Sequence, residues 1–137
     1  MPKIILVAIT FLFSQHLLAE TGQRPDAQSV IAGKALYVQF CQSCHKKDGV
    51  GEKSIPPLIK DPGYLTAMPL NETSHAWHHG DEQLVSTILN GLQRTQRMPA
   101  FKGTITEQQA REIVAYIKSL WSDRILACQG PKHMSCM

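Results

Sequence analysis

Residues 41–45 read Cys41-Gln42-Ser43-Cys44-His45. A Cys-x-x-Cys-His run is the attachment signature of a covalently held c-type haem. The spacing has a chemical reason: thiols one helical turn apart can each add to a porphyrin vinyl group, and the adjoining imidazole is carried beneath the iron as its proximal ligand. Cys41 and Cys44 are therefore the candidate attachment points and His45 the candidate iron ligand. Two other uses of paired cysteines compete. A redox Cys-x-x-Cys calls for a βαβ context, whereas the flanks here carry a helical pattern. A zinc knuckle calls for a second closely spaced ligand pair, and the remaining cysteines, Cys128 and Cys136, have seven residues between them.

Upstream of the motif, Pro25-Asp26 opens a helical pattern through Val30, Ile31, Ala35, Leu36 and Phe40. Gly33 lowers helix propensity inside it, and close approach of a second helix is the usual reason for such a glycine. Downstream, Asp48-Gly49-Val50-Gly51 and Ile55-Pro56-Pro57-Leu58 impose turns and extended loop, able to wrap one haem edge. Residues 61–80 stay irregular, with Asp61-Pro62-Gly63, Met68-Pro69 and the histidines His75, His78 and His79, which read as a solvated polar loop rather than a metal site. A second helix starts at Asp81 as its cap, carries Leu84, Val85, Ile88 and Leu89 on one face, and stops at Asn90-Gly91. After a polar loop and Arg97-Met98-Pro99-Ala100-Phe101, Thr106 and Gln109 form a capping box for a third helix bearing Ile113, Val114, Tyr116, Ile117, Leu120 and Trp121, expected to end near Ser122 or Asp123. No stretch alternates apolar and polar residues, so the fold class is all-α, with three main helices and loops.

The chain of 137 residues has room for one small domain. Lys3, the apolar run Ile4 to Phe13, and Leu17-Leu18-Ala19 before Glu20 follow the order of a secretory signal peptide, expected to be cleaved after Ala19. The run is too short to span a bilayer. Contact with a membrane would come only from retention of this segment. The expected organisation is a leader at 1–19, a domain at 20–123 and a tail at 124–137. The location is then exported, the periplasm of a bacterium, which suits haem attachment and an even number of cysteines. Removing 1–19 takes away only Lys3, leaving 13 basic against 11 acidic residues, a net +2. That can steer an acidic redox partner but is too weak for a nucleic-acid surface.

The chain resembles the small class I c-type cytochromes over residues 26–122. The resemblance rests on ordered landmarks: Gly33 and Tyr37 before the Cys41-x-x-Cys44-His45 motif, then Gly49-x-Gly51, Pro56-Pro57-Leu58, Gly91, Met98-Pro99-x-Phe101, and Tyr116 with Trp121. It implies a cytochrome c-like fold around one covalently bound haem c, with Gly33, Tyr37 and Tyr116 at a crossing of the first and last helices. It implies Met98 as distal iron ligand, Phe101 as a lining of the haem pocket, and the Pro56 carbonyl as acceptor of the His45 Nδ1 hydrogen, holding the ring for the iron. Met68-Pro69 repeats the Met-Pro pair, but only Met98 lies between the second and last helices.

The function implied is single-electron transfer between redox protein partners, a donor and an acceptor, without a catalytic residue. A haem domain within a larger oxidoreductase is the alternative, and a haem enzyme or gas sensor would need five-coordinate iron. Lys46, Lys47, Lys53 and Lys102 surround the expected haem edge as solvating charges that can also steer a partner.

The tail at 124–137 extends beyond this resemblance. Cys128 and Cys136 flank Gly130-Pro131, so an exported chain is expected to close a disulfide there. The sharper reading takes the same two sulfurs with His133, Met134 and Met137 as a soft ligand set for Cu(I).

Overall fold

A computed structural model describes residues 21–56 and 64–137. The expected leader at 1–19, Pro57-Leu58 and the Asp61-Pro62-Gly63 turn lie outside the described residues.

Helix α1, Ala27–Phe40, begins where the Asp26 side chain accepts the Ser29 amide at 2.9 Å, satisfying one of the unpaired donors of its first turn. Helix α2, Gln42–His45, is a single further turn and carries the haem motif. Helix α3 spans Asp81–Asn90 and α4 spans Glu107–Ser119. The described residues contain no strand, only two isolated bridges, Leu92 with Thr95 and Lys102 with Ile105.

The frame of the fold is the crossing of α1 with α4. A β-carbon on Gly33 would lie 1.7 Å from the Glu112 carbonyl oxygen, so the two backbones meet where a side chain would stand. Beside that contact, Tyr37 and Tyr116 pack with ring centroids 4.9 Å apart. The remaining core comes from the inward face of α4, Ala110, Ile113, Val114 and Ile117, and from Val85 and Ile88 of α3. Each such Val or Ile side chain stabilises the fold by about 1.5–3 kcal/mol when fully buried, the principal gain against backbone ordering.

Both main boundary expectations for α4 meet the structure differently. Its start is as read: Thr106 accepts the Gln109 amide at 3.1 Å and Gln109 returns the bond to the Thr106 amide at 2.8 Å. Its end comes earlier, at Ser119, because Trp121 turns inward to donate its Nε1 hydrogen to the Leu70 carbonyl at 2.8 Å, and Ser122 caps a new helix, α5, Asp123–Ala127. Asp81 is also not the cap of α3. Gly80 takes that position, and the buried Asp81 carboxylate binds Lys118 Nζ at 2.8 Å and the Gln129 amide at 2.7 Å. Lys118 has no exposed surface, and a cation so placed is tolerable only with such a partner.

Residues 124–137 pack on the body. Ile125 and Leu126 join the core cluster, and the buried Gln129 accepts the Gly22 amide at 2.8 Å while donating to the His79 carbonyl at 3.1 Å. Cys128 and Cys136 form a disulfide closing the final turn.

Candidate haem site

Cys41 caps the C-terminus of α1, its amide bonded to the Tyr37 carbonyl at 2.9 Å, and the chain continues directly into α2. Helical geometry therefore sets the spacing of the two thiols. Both are free and partly covered. Burial, helped by the nearby Cys44, pushes the Cys41 thiol up to about 11, so it is held neutral. Lys46 ends α2 with φ 62°, and its carbonyl accepts the Tyr37 hydroxyl at 2.8 Å, which ties the turn after the motif back onto α1.

His45 is oriented by the other end of the loop. Its Nδ1 lies 2.9 Å from the Met68 carbonyl oxygen, so Nδ1 donates there and Nε2 is left as the metal-binding lone pair. Burial holds the imidazole below its ordinary pKa, with the Met68 bond opposing, which favours the neutral form that a metal requires.

The acceptor is a correction to the expected role of Pro56. Backbone bonds from the Glu52 amide to the Ala67 carbonyl at 2.8 Å and from the Leu70 amide to the Gly49 carbonyl at 2.7 Å bring 67–70 alongside 49–52. Pro56 itself is exposed, and the segment beside His45 is Met68-Pro69-Leu70. The signal was present as a second Pro-Leu pairing, and the residue before a proline is biased to the extended backbone that turns its carbonyl outward.

Met98 sits in the loop between α3 and α4, partly buried against the core. Its carbonyl accepts the Leu92 amide at 3.1 Å, and Phe101 and Lys102 donate to the Ile88 and Leu89 carbonyls at 3.2 and 2.9 Å, so the Met98–Phe101 stretch is stitched to the end of α3. At Gly91, with φ +69°, a β-carbon would fall 2.7 Å from the Met98 carbonyl oxygen. Phe101 meets Phe40 at 5.9 Å between centroids, edge to face, one residue before Cys41.

Two residues went unnoticed in the sequence. Arg97 binds both oxygens of Glu52 at 2.7 and 2.8 Å, reaches the Leu65 carbonyl at 2.8 Å and lies 4.3 Å over the Tyr64 ring. Nothing in local periodicity marks a bridge between positions 45 apart.

The histidine trio is partly ordered rather than freely solvated. His75 packs against His78 and His79, and His78 stacks on His133 of the tail at 4.5 Å. Desolvation first, and then the neighbouring imidazoles, lowers the pKa of His78. Among the described residues no group of three or more His, Cys, Asp or Glu is placed to hold a metal ion. The Cu(I) reading of the tail is accordingly corrected: both sulfurs it needs are joined to each other, and a disulfide sulfur is not a thiolate ligand.

A haem c fits the residues present. Two free thiols share one turn, and the imidazole beside them has its Nδ1 already engaged. Trp77 Nε1 is the one buried side-chain polar atom without a protein partner among the described residues. Described residues without a strand and a Cys-x-x-Cys-His turn at the end of the first helix define the c-type cytochrome class.

Comparison with known proteins agrees. Residues 28–117 match the family described as cytochrome c oxidase, cbb3-type, subunit III, and the chain belongs to that family. It is 27% identical over 95 residues to the cytochrome c subunit of alcohol dehydrogenase (quinone) of Gluconacetobacter polyoxogenes, covering 69% of this chain and 19% of that protein. It is 24% identical over 106 residues to the cbb3-type cytochrome c oxidase subunit CcoP of Cereibacter sphaeroides, covering 77% and 32%. Identity to CcoP of Rhodobacter capsulatus is 29% over 117 residues, covering 77% and 34%. The matched stretch thus spans 19–34% of the length of these relatives. No solved structure gives a significant match. The chain thus belongs among the electron-transfer haem proteins.

Proposed function

We propose that the chain carries one haem c, attached through Cys41 and Cys44 and ligated by His45 and Met98, and that it passes single electrons between exported redox proteins without itself catalysing a reaction on a substrate. The observation that carries this reading is the 2.9 Å bond from His45 Nδ1 to the Met68 carbonyl, which fixes the tautomer and direction of the ring beside the two thiols. When bound, the haem supplies a one-electron ferric–ferrous couple whose potential a thioether ligand raises. The chain's own part is to hold the imidazole, present Met98 from the loop stitched to α3, and keep water from the iron with Phe40 and Phe101.

Export is supported by the Cys128–Cys136 disulfide, a bond that persists in oxidising compartments. No helix among the described residues is long and apolar enough to cross a membrane. Haem staining of the denatured protein, with its mass and a redox titration, tests the reading. The expected result is one covalent haem per chain and a one-electron curve; a haem removed by denaturation contradicts it.

A second reading, a subunit of a larger oxidoreductase, is favoured by the relatives, which are named as subunits of a quinone alcohol dehydrogenase and of a cbb3-type oxidase. Co-purification with a dehydrogenase or oxidase subunit at fixed stoichiometry would support it, and recovery of the native protein as a free monomer would oppose it.

A further inference from the structure

The Arg97–Glu52 pair joins the two loops that flank the site. Arg97 immediately precedes Met98, and Ala67 immediately precedes Met68, whose carbonyl holds His45. Glu52 lies between them. Its Oε2 accepts the Ala67 amide at 2.9 Å while its own amide donates to the Ala67 carbonyl at 2.8 Å, and both its oxygens bind Arg97. Arg97 also reaches back to the Leu65 carbonyl and covers Tyr64. The line Ala67, Glu52, Arg97 therefore runs from the residue before one methionine to the residue before the other.

We propose that this pair is a positioning latch, which binds the Met98 loop to the His45 side of the pocket and slows the release of Met98 from the iron. The proposal rests on the His45 and Met98 reading above. A planar guanidinium gripping a carboxylate at two points restricts rotation as well as distance. The side chains are partly shielded, 30% and 19% exposed, so solvent screening reduces the pair without cancelling it. For Met98 to swing away, Arg97 beside it must release bonds to an acid and a carbonyl, or the loop must pivot about them. Arg97 also lies within electrostatic reach of Cys44, and Glu52 within reach of His45.

The test uses the haem-loaded full chain with Arg97→Gln, Glu52→Gln and the double variant. Arg111→Gln, which removes a comparable ion pair with Glu82 and Glu107, serves as control. The readouts are the rate at which imidazole replaces the methionine on ferric iron, the red charge-transfer band of the methionine–iron bond, and the reduction potential. Expected in each single variant are a retained band at neutral pH and replacement about tenfold faster, since a bond to a charged group is worth roughly a factor of ten or more. The double variant should be no faster than the faster single one, because one latch is removed in each. Potentials should move in opposite directions: up in Glu52→Gln, where the Arg97 charge is left alone, and down in Arg97→Gln, where the carboxylate is left alone. A merely structural role would not split the sign. Replacement rates equal to those of Arg111→Gln would overturn the latch. If Arg97→Gln does not fold, the near-isosteric Glu52→Gln and the charge-conserving Arg97→Lys decide it by the same rates. Absence of the band from the unmodified protein would instead defeat the Met98 reading and the latch with it.

Discussion

Met68-Pro69 and Met98-Pro99 are the same dipeptide in opposite settings. The first lies along the 49–52 loop, gives its methionine carbonyl to His45, and is 42% exposed. The second is stitched to the end of α3, gives its methionine carbonyl to Leu92, and turns its side chain against the core. Nδ1 and Nε2 lie on different sides of the imidazole ring, so with iron held at Nε2, as proposed, the residue that accepts from Nδ1 would stand behind the ring. Met68 would then belong to the proximal side, and Met98 would be the candidate for the distal position. A local motif does not assign its own role; the element to which its backbone is bonded does.

The largest way to break this contrast is to remove the frame that holds both loops. Gly33→Leu must displace the α4 backbone at Glu112, and overpacking of this kind costs about 1–3 kcal/mol or more, here at the upper end because the obstacle is main chain. Chemical denaturation of the haem-loaded variant checks it, and an unchanged midpoint would place the crossing elsewhere.

Gly91→Ala acts on the Met98 side alone. Its β-carbon would press on the Met98 carbonyl from a left-handed backbone, so a loss of about 1–3 kcal/mol is expected together with a weakened methionine band. Stability lost with the band intact would separate the Met98 backbone from its side chain. Trp121→Phe acts on the other side. It deletes the donor to the Leu70 carbonyl, two residues after Met68, and should cost about 0.5–1.5 kcal/mol while leaving the band in place.

Acid sharpens the contrast through the bridge between the loops. Glu52 is held down to about 2 by the Arg97 side chain and the Ala67 amide, against an ordinary 4.5. A folded-state value below the unfolded one means that the contribution is complete above about pH 4.5 and is lost as pH falls toward 2. Denaturation midpoints should therefore fall through that window more steeply in the unmodified protein than in Glu52→Gln. Parallel curves would show that the pair carries no stability.

The parts of this arrangement legible in the sequence are those where one local rule suffices. Thr106 with Gln109 marks the start of α4, Gly33 marks the crossing, and the Cys41 to His45 run marks the site. What escaped reading depends on distant partners. Asp81 looked like a cap because its position suits one, but Lys118 and Gln129 claim its carboxylate. Pro56 was expected as the second partner of His45 because the family resemblance implied it. The bonds between 49–52 and 67–70 instead bring Met68 beside the ring. Arg97 and Glu52 carried no signal, since an ion pair between two loops has no period. The tail was visible as a cysteine pair, whereas its docking through Gln129 was not.

The assignment of the two methionines is tested most directly by the ferric spectrum of Met98→Ala beside that of Met68→Ala, each with covalent haem in place. The account expects the methionine–iron charge-transfer band to vanish in Met98→Ala, with carbon monoxide binding readily to its ferrous form, and to persist in Met68→Ala, whose backbone carbonyl still holds His45. A band kept in Met98→Ala and lost in Met68→Ala would contradict it.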